Sequence, residues 1–320
     1  MALVKASFLN PILFRVQDPI YMNFLSLIGS TEYPLGLPFS FVAVFITIIG
    51  ATIGSFLNVV IHRVPREQSI AFPNSRCPSC GTAIRPYDNV PVLSYLILRG
   101  RCRACKTGIS PRYPAVEALT GLIFLGVFLC RGLNLALPFD LIFAAALVAL
   151  VFIDAEHMIL PNAITYPGMV FAVIARLAIP YIAGPGYLED LQSLANLLPP
   201  GWPLWAVSLT GAVLGALAGG GSLWLMGWLW ERLRGVEAMG LGDVKMMFAV
   251  GAYLGWRLAV LTIFIAVFVG SVTGVAIMIG KRERNLQMML PFGIFLGIGA
   301  LVSLLFGSRL IGWYLGQFII

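Results

Sequence analysis

Charged side chains are scarce in this chain. Only 11% of its 320 residues are Asp, Glu, Lys or Arg, whereas 59% are hydrophobic. A soluble globular domain carries about 25% charged residues, so this scarcity excludes that class and indicates a membrane protein. Residues 1–37 also lack the uninterrupted apolar core and small-residue cleavage site of a secretory signal, because charges and prolines interrupt them. We therefore expect the first membrane span to be retained, and the sequence assigns no role to the segment 1–37.

Long apolar segments between charges and Pro/Gly clusters predict the membrane helices. A hydrocarbon core about 30 Å thick needs roughly 20 apolar residues in a helix. Eight segments approach this length, and they predict an all-α polytopic membrane protein with about eight transmembrane helices. They are approximately 39–61, 114–130, 138–155, 162–183, 205–230, 243–256, 258–279 and 292–316, the fifth being long and the sixth short. The chain then divides into the segment 1–37, a first transmembrane helix at 38–61, a loop domain at 62–113 and a second transmembrane domain at 114–320.

Positive charge in the loops predicts the orientation, because loops rich in Lys and Arg remain in the cytoplasm. With eight spans, three basic loops fall on one side, and the connection around 184–204, which has no Lys or Arg, falls on the other. Both termini then lie outside the cytoplasm. Loop cations facing anionic lipid headgroups explain the net charge of +7 without any nucleic acid. The basic loops are the stretch 62–112, the connection with Arg232 and Arg234, and the connection with Lys281, Arg282 and Arg284.

Four cysteines in the loop domain form two CxxC pairs. The pairs are Cys77-Pro-Ser-Cys80 and Cys102-Arg-Ala-Cys105, and this spacing is typical of a structural zinc ribbon, in which four thiolates surround the ion. Two disulfides are the alternative, which the reducing cytoplasm disfavours. A shell of four thiolates leaves no position for substrate, so zinc would fold the loop rather than catalyse. Cys130 stands alone in a predicted span, where we expect a small buried hydrophobe.

Carboxylates within or at the ends of membrane spans are costly unless they are paired or hydrated, so each one suggests a function. Asp154 closes the third predicted span and Asp243 opens the sixth, and the orientation places both at the cytoplasmic end. Two carboxylates at one depth suit acid–base activation of water against a peptide bond, with one proton shared between them. Asp140 begins a predicted helix and is interpreted as its cap. Glu117 is expected either to bind a positive charge of the substrate or to pair with a loop arginine.

Position within the helices predicts where the shared proton resides. Asp243 begins a helix, whose dipole favours an anion, whereas Asp154 ends one, where an anion is disfavoured. We therefore predict that Asp154 carries the proton more often. Gly240 and Gly242 lie just before Asp243, and an irregular glycine stretch would let an extended substrate backbone approach closely. A simple turn at the start of a helix explains these glycines equally well.

Several strings together resemble the type IV prepilin peptidases of the GxGD aspartyl protease class. The strings around Asp154 and Asp243 are similar to the two catalytic motifs of that family, and the resemblance extends over about residues 45–300. Its N-terminal part rests on Gly54-Ser-Phe-Leu-Asn-Val-Val-Ile-His-Arg63, on the cysteine loop with Tyr87-Asp-Asn-Val-Pro-Val-Leu-Ser94, and on Arg112-Tyr-Pro-Ala-Val-Glu117. Two positions depart from the family pattern: Ile294 stands where many relatives have proline, and Asn162 stands where many have aspartate.

The resemblance implies a substrate class and a second reaction. It implies cleavage of type IV prepilins or secretion pseudopilins after a glycine, at the boundary between a basic leader and a hydrophobic helix. The enzyme would lie in the bacterial inner membrane with its active site facing the cytoplasm. In members that retain the cysteine loop, the resemblance also implies N-methylation of the new terminus with S-adenosylmethionine as donor. The methyl donor has no pocket that the residues reveal, because the sequence has no Gly-rich turn of the dinucleotide-binding kind.

Two other classes of protein remain open from the residues alone. The first is a proton-coupled transporter that uses Asp154 and Asp243 as a relay, since carboxylates inside a membrane mark such pathways. Against it, both aspartates lie near one surface rather than the midplane, and no inverted repeat is evident in the sequence. The second is a zinc-ribbon membrane adaptor without catalysis, for which the aspartate strings would be accidental.

Overall fold

The computed structural model describes residues 37–236, 239–281 and 291–318. Within these ranges the named elements are helices, and two isolated β-bridges, Arg76–Ala83 and Arg101–Gly108, lie in the cysteine loop. Residues Ile46–Ile320 belong to one compact unit, and the N-terminal unit contributes the start of the first helix, up to Phe45. The N-terminal segment and the basic connection with Arg282 and Arg284 lie outside the described residues, so the predictions made for them stay predictions.

Eleven α-helices occur in the described ranges. They are α1 (Phe39–Arg63), α2 (Leu93–Ile97), α3 (Arg112–Arg131), α4 (Leu137–His157), α5 (Asn162–Ile182), α6 (Leu191–Leu197), α7 (Leu204–Ala216), α8 (Ser222–Arg234), α9 (Leu241–Leu254), α10 (Trp256–Lys281) and α11 (Phe292–Phe318). A π-helical turn, Leu217–Gly221, connects α7 to α8 without a break. This continuous segment is the long fifth span that the sequence predicts.

Seven segments of the described chain are long and apolar enough to cross a membrane. They are Phe39–Arg66, Arg112–Arg131, Leu137–His157, Asn162–Ile182, Leu204–Arg234, Trp256–Gly280 and Phe292–Gln317. They correspond to all the predicted spans except the sixth, which is α9. That helix has 14 residues, a length of about 21 Å. It packs against α5, α7 and the π-helical turn, so protein rather than lipid covers most of its surface.

Glycines allow α9 to approach its neighbours at backbone distance. A Cβ atom on Gly215 of α7 would lie 2.0 Å from the carbonyl oxygen of Gly251, and one on Gly219 would lie 2.6 Å from the carbonyl oxygen of Met247. No side chain fits at either contact. Small residues spaced four apart are a common basis of helix contact in membranes. This packing fixes the helix that carries Asp243.

A buried polar cluster lies at the end of α4 that is opposite to Asp154. Asp140 is 1% exposed and accepts hydrogen bonds from the hydroxyls of Tyr253, at 2.6 Å, and of Tyr187. The Arg131 guanidinium completes the cluster, with Nε 3.8 Å from the carboxylate. The interpretation of Asp140 as a helix cap is wrong, because Ala136 occupies the N-cap position and the carboxylate points into the bundle toward these partners.

The hydrogen bond between Asp140 and Tyr253 joins the two helices that carry the predicted catalytic aspartates. Asp140 and Asp154 both belong to α4, and Tyr253 and Asp243 both belong to α9. The Tyr253 ring also stacks on Phe143 of α4, with ring centroids 4.1 Å apart. Helix α9 therefore reaches the level at which α4 begins, and the two helices are attached to each other there.

Candidate active site

Each predicted catalytic aspartate lies at a helix end. Asp154 is in the last turn of α4, which ends when Met158 adopts a left-handed conformation (φ 54°) and donates its N–H to the Asp154 carbonyl at 2.9 Å. Asp243 is in the first turn of α9, whose N-cap residue, Gly240, is extended. Asp154 is 5% exposed, and Asp243 is partly buried. The structure thus gives both carboxylates a protein environment at the ends of their helices.

The two carboxylates meet at Gly293, near the start of α11. A Cβ atom built on Gly293 would lie 2.8 Å from Oδ2 of Asp154 and 3.1 Å from Oδ1 of Asp243. One oxygen of each aspartate is therefore in contact with the same small volume. Three separate helices, α4, α9 and α11, bring together one paired-aspartate site.

The backbone of α11 supplies a hydrogen-bond donor to this pair. The N–H of Ile294 donates to Oδ2 of Asp154 at 3.0 Å. A proline at this position, as many members of the resembled family have, has no N–H and could not make this bond. A backbone donor stabilises an ionised carboxylate, so it acts against the predicted placement of the shared proton on Asp154. That placement stays a prediction.

The residues around Asp243 are held by packing and by a polar contact. A Cβ on Gly242 would lie 3.0 Å from Cβ of Leu160, so this glycine lets the start of α9 contact the segment that follows Asp154. Two residues beyond Asp243, Lys245 donates a hydrogen bond to Oδ1 of Asn162 at 2.9 Å. Asn162, the second departure from the family pattern, is therefore a neutral partner of Lys245 at the start of α5.

Two further carboxylates connect the helices to the loop domain. Glu156, in the last turn of α4, pairs with Arg112 at the start of α3. Glu117 accepts a hydrogen bond from the backbone N–H of Val92 at 2.7 Å. In the described part of the chain Glu117 forms no ion pair with an arginine, so its partner is a backbone amide of the loop.

The four cysteines of the loop domain converge as predicted. The Sγ atoms of Cys77, Cys80, Cys102 and Cys105 all lie within 4.8 Å of one another. The Sγ atoms of Cys77 and Cys105 are 3.8 Å apart, which matches the edge of a tetrahedron with Zn–S bonds of about 2.3 Å and is far longer than an S–S bond of about 2.05 Å. Four thiolates at this spacing fit a structural zinc ion.

The cysteine cluster is built from two copies of one turn. In the first copy the N–H of Cys77 donates to the carbonyl of Thr82 at 2.9 Å, and in the second the N–H of Cys102 donates to that of Thr107 at 2.8 Å. The Thr107 hydroxyl also hydrogen-bonds to Sγ of Cys105 at 3.3 Å and lowers the pKa of that thiol to about 6. A lowered pKa favours the thiolate form, which is the form that binds a metal ion.

Replacement of one ligand should release the metal and leave the membrane helices folded. We expect Cys77→Ser to lower bound zinc from about one ion per chain to less than about 0.2, because three thiolates cannot close the tetrahedron. Metal analysis of the purified protein measures this. The matched control is Cys130→Ser, which removes the cysteine of α3 and should leave the zinc content unchanged. Equal zinc content in Cys77→Ser and wild type would exclude the cluster as a zinc site.

Fold and site together define a class: a polytopic helical membrane protein with a pair of convergent aspartates and a four-cysteine loop domain. Residues 48–130 match the Bacterial Peptidase A24 N-terminal domain, and residues 141–275 match the Type IV leader peptidase family. The chain belongs to the prepilin leader peptidase/N-methyltransferase family. No solved structure matches it.

Curated relatives match between 77% and 90% of the chain. A prepilin leader peptidase/N-methyltransferase of Aeromonas hydrophila is 33% identical over 90% of this chain and 98% of the relative. One of Pseudomonas aeruginosa is 33% identical over 89% and 97%, and one of Myxococcus xanthus is 38% identical over 77% and 67%, respectively. The seven candidate spans of the described chain and its membership of this bacterial family together identify it as a multi-pass inner membrane protein. The comparisons lend no support to the proton-coupled transporter.

Gly293 and Ile294 contribute to the site in a way that the sequence did not reveal. The Pro291-Phe292-Gly293 string indicates a helix break, but only the fold shows that this break faces the two aspartates. The sequence nevertheless contained a signal for this role. Gly293 is followed by Ile294, where many members of the resembled family have proline, and such residues mark a position where backbone geometry matters.

Proposed function

We propose that this chain is a bifunctional membrane enzyme. Its first activity is that of an aspartyl endopeptidase that cleaves the leader of type IV prepilins or pseudopilins after a glycine. Its second is N-methylation of the new N-terminal residue with S-adenosylmethionine. The observation that carries the proposal is the contact of Asp154 and Asp243 with one volume beside Gly293. The printed names of the relatives support both activities.

The proposed cleavage uses the two carboxylates in different states of protonation. The ionised aspartate takes a proton from a water molecule, whose oxygen attacks the carbonyl carbon of the scissile peptide bond. The protonated aspartate donates its proton to the carbonyl oxygen. Transfer of a proton to the leaving nitrogen then breaks the C–N bond. Because two adjacent carboxylates cannot both ionise cheaply, they hold one proton between them and are ready for both tasks.

The proposed location of the reaction follows from charge. The basic loops and both aspartates are placed on the cytoplasmic side by the positive-inside rule, where the basic leader of a prepilin remains before export. We assign the cysteine domain, 62–113, to the methylation step and the helices of 114–320 to cleavage. Zinc would hold the cysteine domain in shape without taking part in either reaction.

The test is an assay of purified protein with a synthetic prepilin. Mass spectrometry of the products should show a cut after the glycine that precedes the hydrophobic segment, and a methyl group on the new terminus only when S-adenosylmethionine is present. Cleavage without any methylation would limit the proposal to the peptidase. Absence of cleavage by folded, zinc-loaded protein would refute it.

The hydrogen bond from Ile294 should make a measurable but limited contribution to cleavage. Ile294→Pro deletes one N–H in the first turn of α11, where a helix tolerates proline. We expect kcat/KM to fall about 3- to 10-fold, because a hydrogen bond to a charged group stabilises it by about 1.5–3 kcal/mol and part of this loss is recovered by water. Ile294→Ala keeps the N–H and is the control. An equal loss in both variants would show that side-chain packing, not the backbone donor, matters.

A further inference from the structure

The loop domain has an exposed apolar surface on α2. Three of the five residues of this short helix are large, apolar and exposed: Leu93 is 57% exposed, Leu96 is 63% exposed and Ile97 is 75% exposed. We call these three residues the apolar face. Exposed apolar residues are expected on helices that cross a membrane, but α2 is part of the connection between two such helices. Its apolar face therefore needs a separate explanation.

A partly buried hydrogen bond to Glu117 fixes the position of α2 along α3. The backbone N–H of Val92, just before α2, donates to Glu117 at 2.7 Å. Glu117 lies within the candidate span Arg112–Arg131, five residues past its start, which is about 8 Å along the helix. The beginning of α2 thus lies beside the first turns of a membrane span rather than beyond its end. By the length of this span, α2 begins at the level where α3 would enter the hydrocarbon region of a bilayer.

The chain is bent sharply to hold α2 there. Val92 has φ 61° and ψ −49°, and the N–H of Leu93 donates to the carbonyl of Pro91 at 2.6 Å, two residues back. This is the strained γ-turn that β-branched residues rarely adopt. The carboxylate of Glu117 holds the N–H of the strained residue itself, so the contact between α3 and the loop stabilises the turn and the position of α2 together.

A basic cleft adjoins the apolar face. The segment that follows α2 lines a cleft of about 300 Å³ with Leu98, Arg99, Arg101, Cys102 and Lys106. We call Arg99, Arg101 and Lys106 the basic cleft. Among the described residues, none of these three cations forms an ion pair with a carboxylate, whereas Arg103 pairs with Asp88. A zinc ion held by four thiolates, including Cys102 of the cleft lining, carries a net charge of −2, which the +3 of these cations exceeds, so the cleft still attracts an anion.

We propose that the apolar face and the basic cleft form one docking surface for an anionic phospholipid. The apolar face lies against the acyl chains at the headgroup boundary, and the basic cleft binds the phosphate of a lipid such as phosphatidylglycerol. Charge complementarity favours this occupant: an apolar stripe flanked by unpaired Arg and Lys is the pattern of a segment that lies in an anionic membrane surface. The prepilin has a basic leader, which these cations would repel. The surface thereby fixes the cysteine domain against the bilayer.

Lipid retention tests the basic cleft. The full chain is placed in nanodiscs of phosphatidylcholine mixed with phosphatidylglycerol, and native mass spectrometry after release counts the phosphatidylglycerol that stays bound. We expect the triple variant Arg99→Gln, Arg101→Gln, Lys106→Gln to retain about tenfold less phosphatidylglycerol than wild type. The control triple variant, Arg76→Gln, Arg232→Gln, Arg234→Gln, removes the same charge from other parts of the basic loops and should lose less than about twofold. Equal loss in both variants would overturn the proposal, because it indicates attraction by net charge alone.

Two further measurements keep the test decisive. The zinc content of the cleft variant should equal that of wild type. If the zinc-loaded cleft variant retains as much phosphatidylglycerol as wild type, the proposal is overturned. An excess of free glycerol 3-phosphate should not displace the lipid, because this compound has no acyl chain and cannot bind the apolar face. Complete displacement would instead identify a site for soluble phosphates.

A photo-reactive amino acid at position 97 identifies the occupant of the apolar face. Irradiation of membranes that also contain a prepilin should yield adducts with the mass of a phospholipid. Adducts with prepilin would assign the face to substrate and overturn the proposal. Reaction with water alone would show that the face is not in the membrane, with the same consequence.

Discussion

Asp154→Asn and Asp243→Asn should each lower kcat for prepilin cleavage by at least about 10³-fold. An asparagine has nearly the size and shape of an aspartate, but it can neither take a proton from water nor donate one to a carbonyl oxygen. Because the two carboxylates share one proton and act on one substrate, loss of either abolishes the pair. The measurement is single-turnover cleavage of a synthetic prepilin by purified protein.

A matched variant controls for the loss of a carboxylate, and a second substrate tests whether the aspartate variants are folded. Glu231→Gln removes an exposed carboxylate from the end of α8 and should leave the cleavage rate unchanged. A peptide that already begins with the mature phenylalanine should be methylated at the wild-type rate by both aspartate variants, which shows that they are folded. Near-normal cleavage by either variant would refute the paired-aspartate mechanism.

Gly293→Ala should lower kcat for cleavage by about 10²-fold with both aspartates still present. Its Cβ would lie 2.8 Å from Oδ2 of Asp154 and 3.1 Å from Oδ1 of Asp243, and the first of these distances is shorter than real Cβ atoms show. One carboxylate must therefore move, and a misplacement of about 1 Å in an active site costs about 100-fold in rate. The methyl group of the new alanine would occupy the same space beside Gly293 that the two carboxylates contact.

The same helix offers the control. A Cβ on Gly312 of α11 would meet nothing within 4 Å, so Gly312→Ala should cleave at the wild-type rate. A comparison of kcat with KM separates the two possible effects: displacement of an aspartate lowers kcat, whereas a blocked substrate groove raises KM. Wild-type kcat in Gly293→Ala would contradict the geometry of the site.

The sequence indicated much of the fold because lipid imposes simple constraints. A segment that crosses a membrane must be about 20 residues long and apolar, so seven predicted spans correspond to candidate membrane helices. The short helix α9 was harder to predict from the sequence, because a helix that is covered by protein need not match the thickness of the bilayer. Its packing depends on contacts such as that between Gly215 and Gly251, which join segments far apart in the chain.

The candidate sites differ in how far they could be predicted. The cysteine cluster is encoded locally, since each CxxC turn fixes its own pair of thiols, and the four Sγ atoms lie close enough to hold one metal ion. The role of Asp140 was predicted wrongly, because its partner Tyr253 lies on another helix and no sequence pattern near Asp140 indicates their hydrogen bond. The aspartates were found because a carboxylate in an apolar segment is conspicuous, whereas Gly293, which has no side chain, is not.

The sequence by itself determined the class of protein and its candidate membrane spans, and it singled out the four cysteines and the two aspartates, because each of these depends on residue type and spacing along the chain. Only the tertiary structure decided which backbone meets those aspartates, where the N–H of Ile294 points and how deep α2 lies beside α3. These features depend on how separate helices are placed against one another. Such placement is set by side-chain packing across the bundle, and no local sequence pattern contains it.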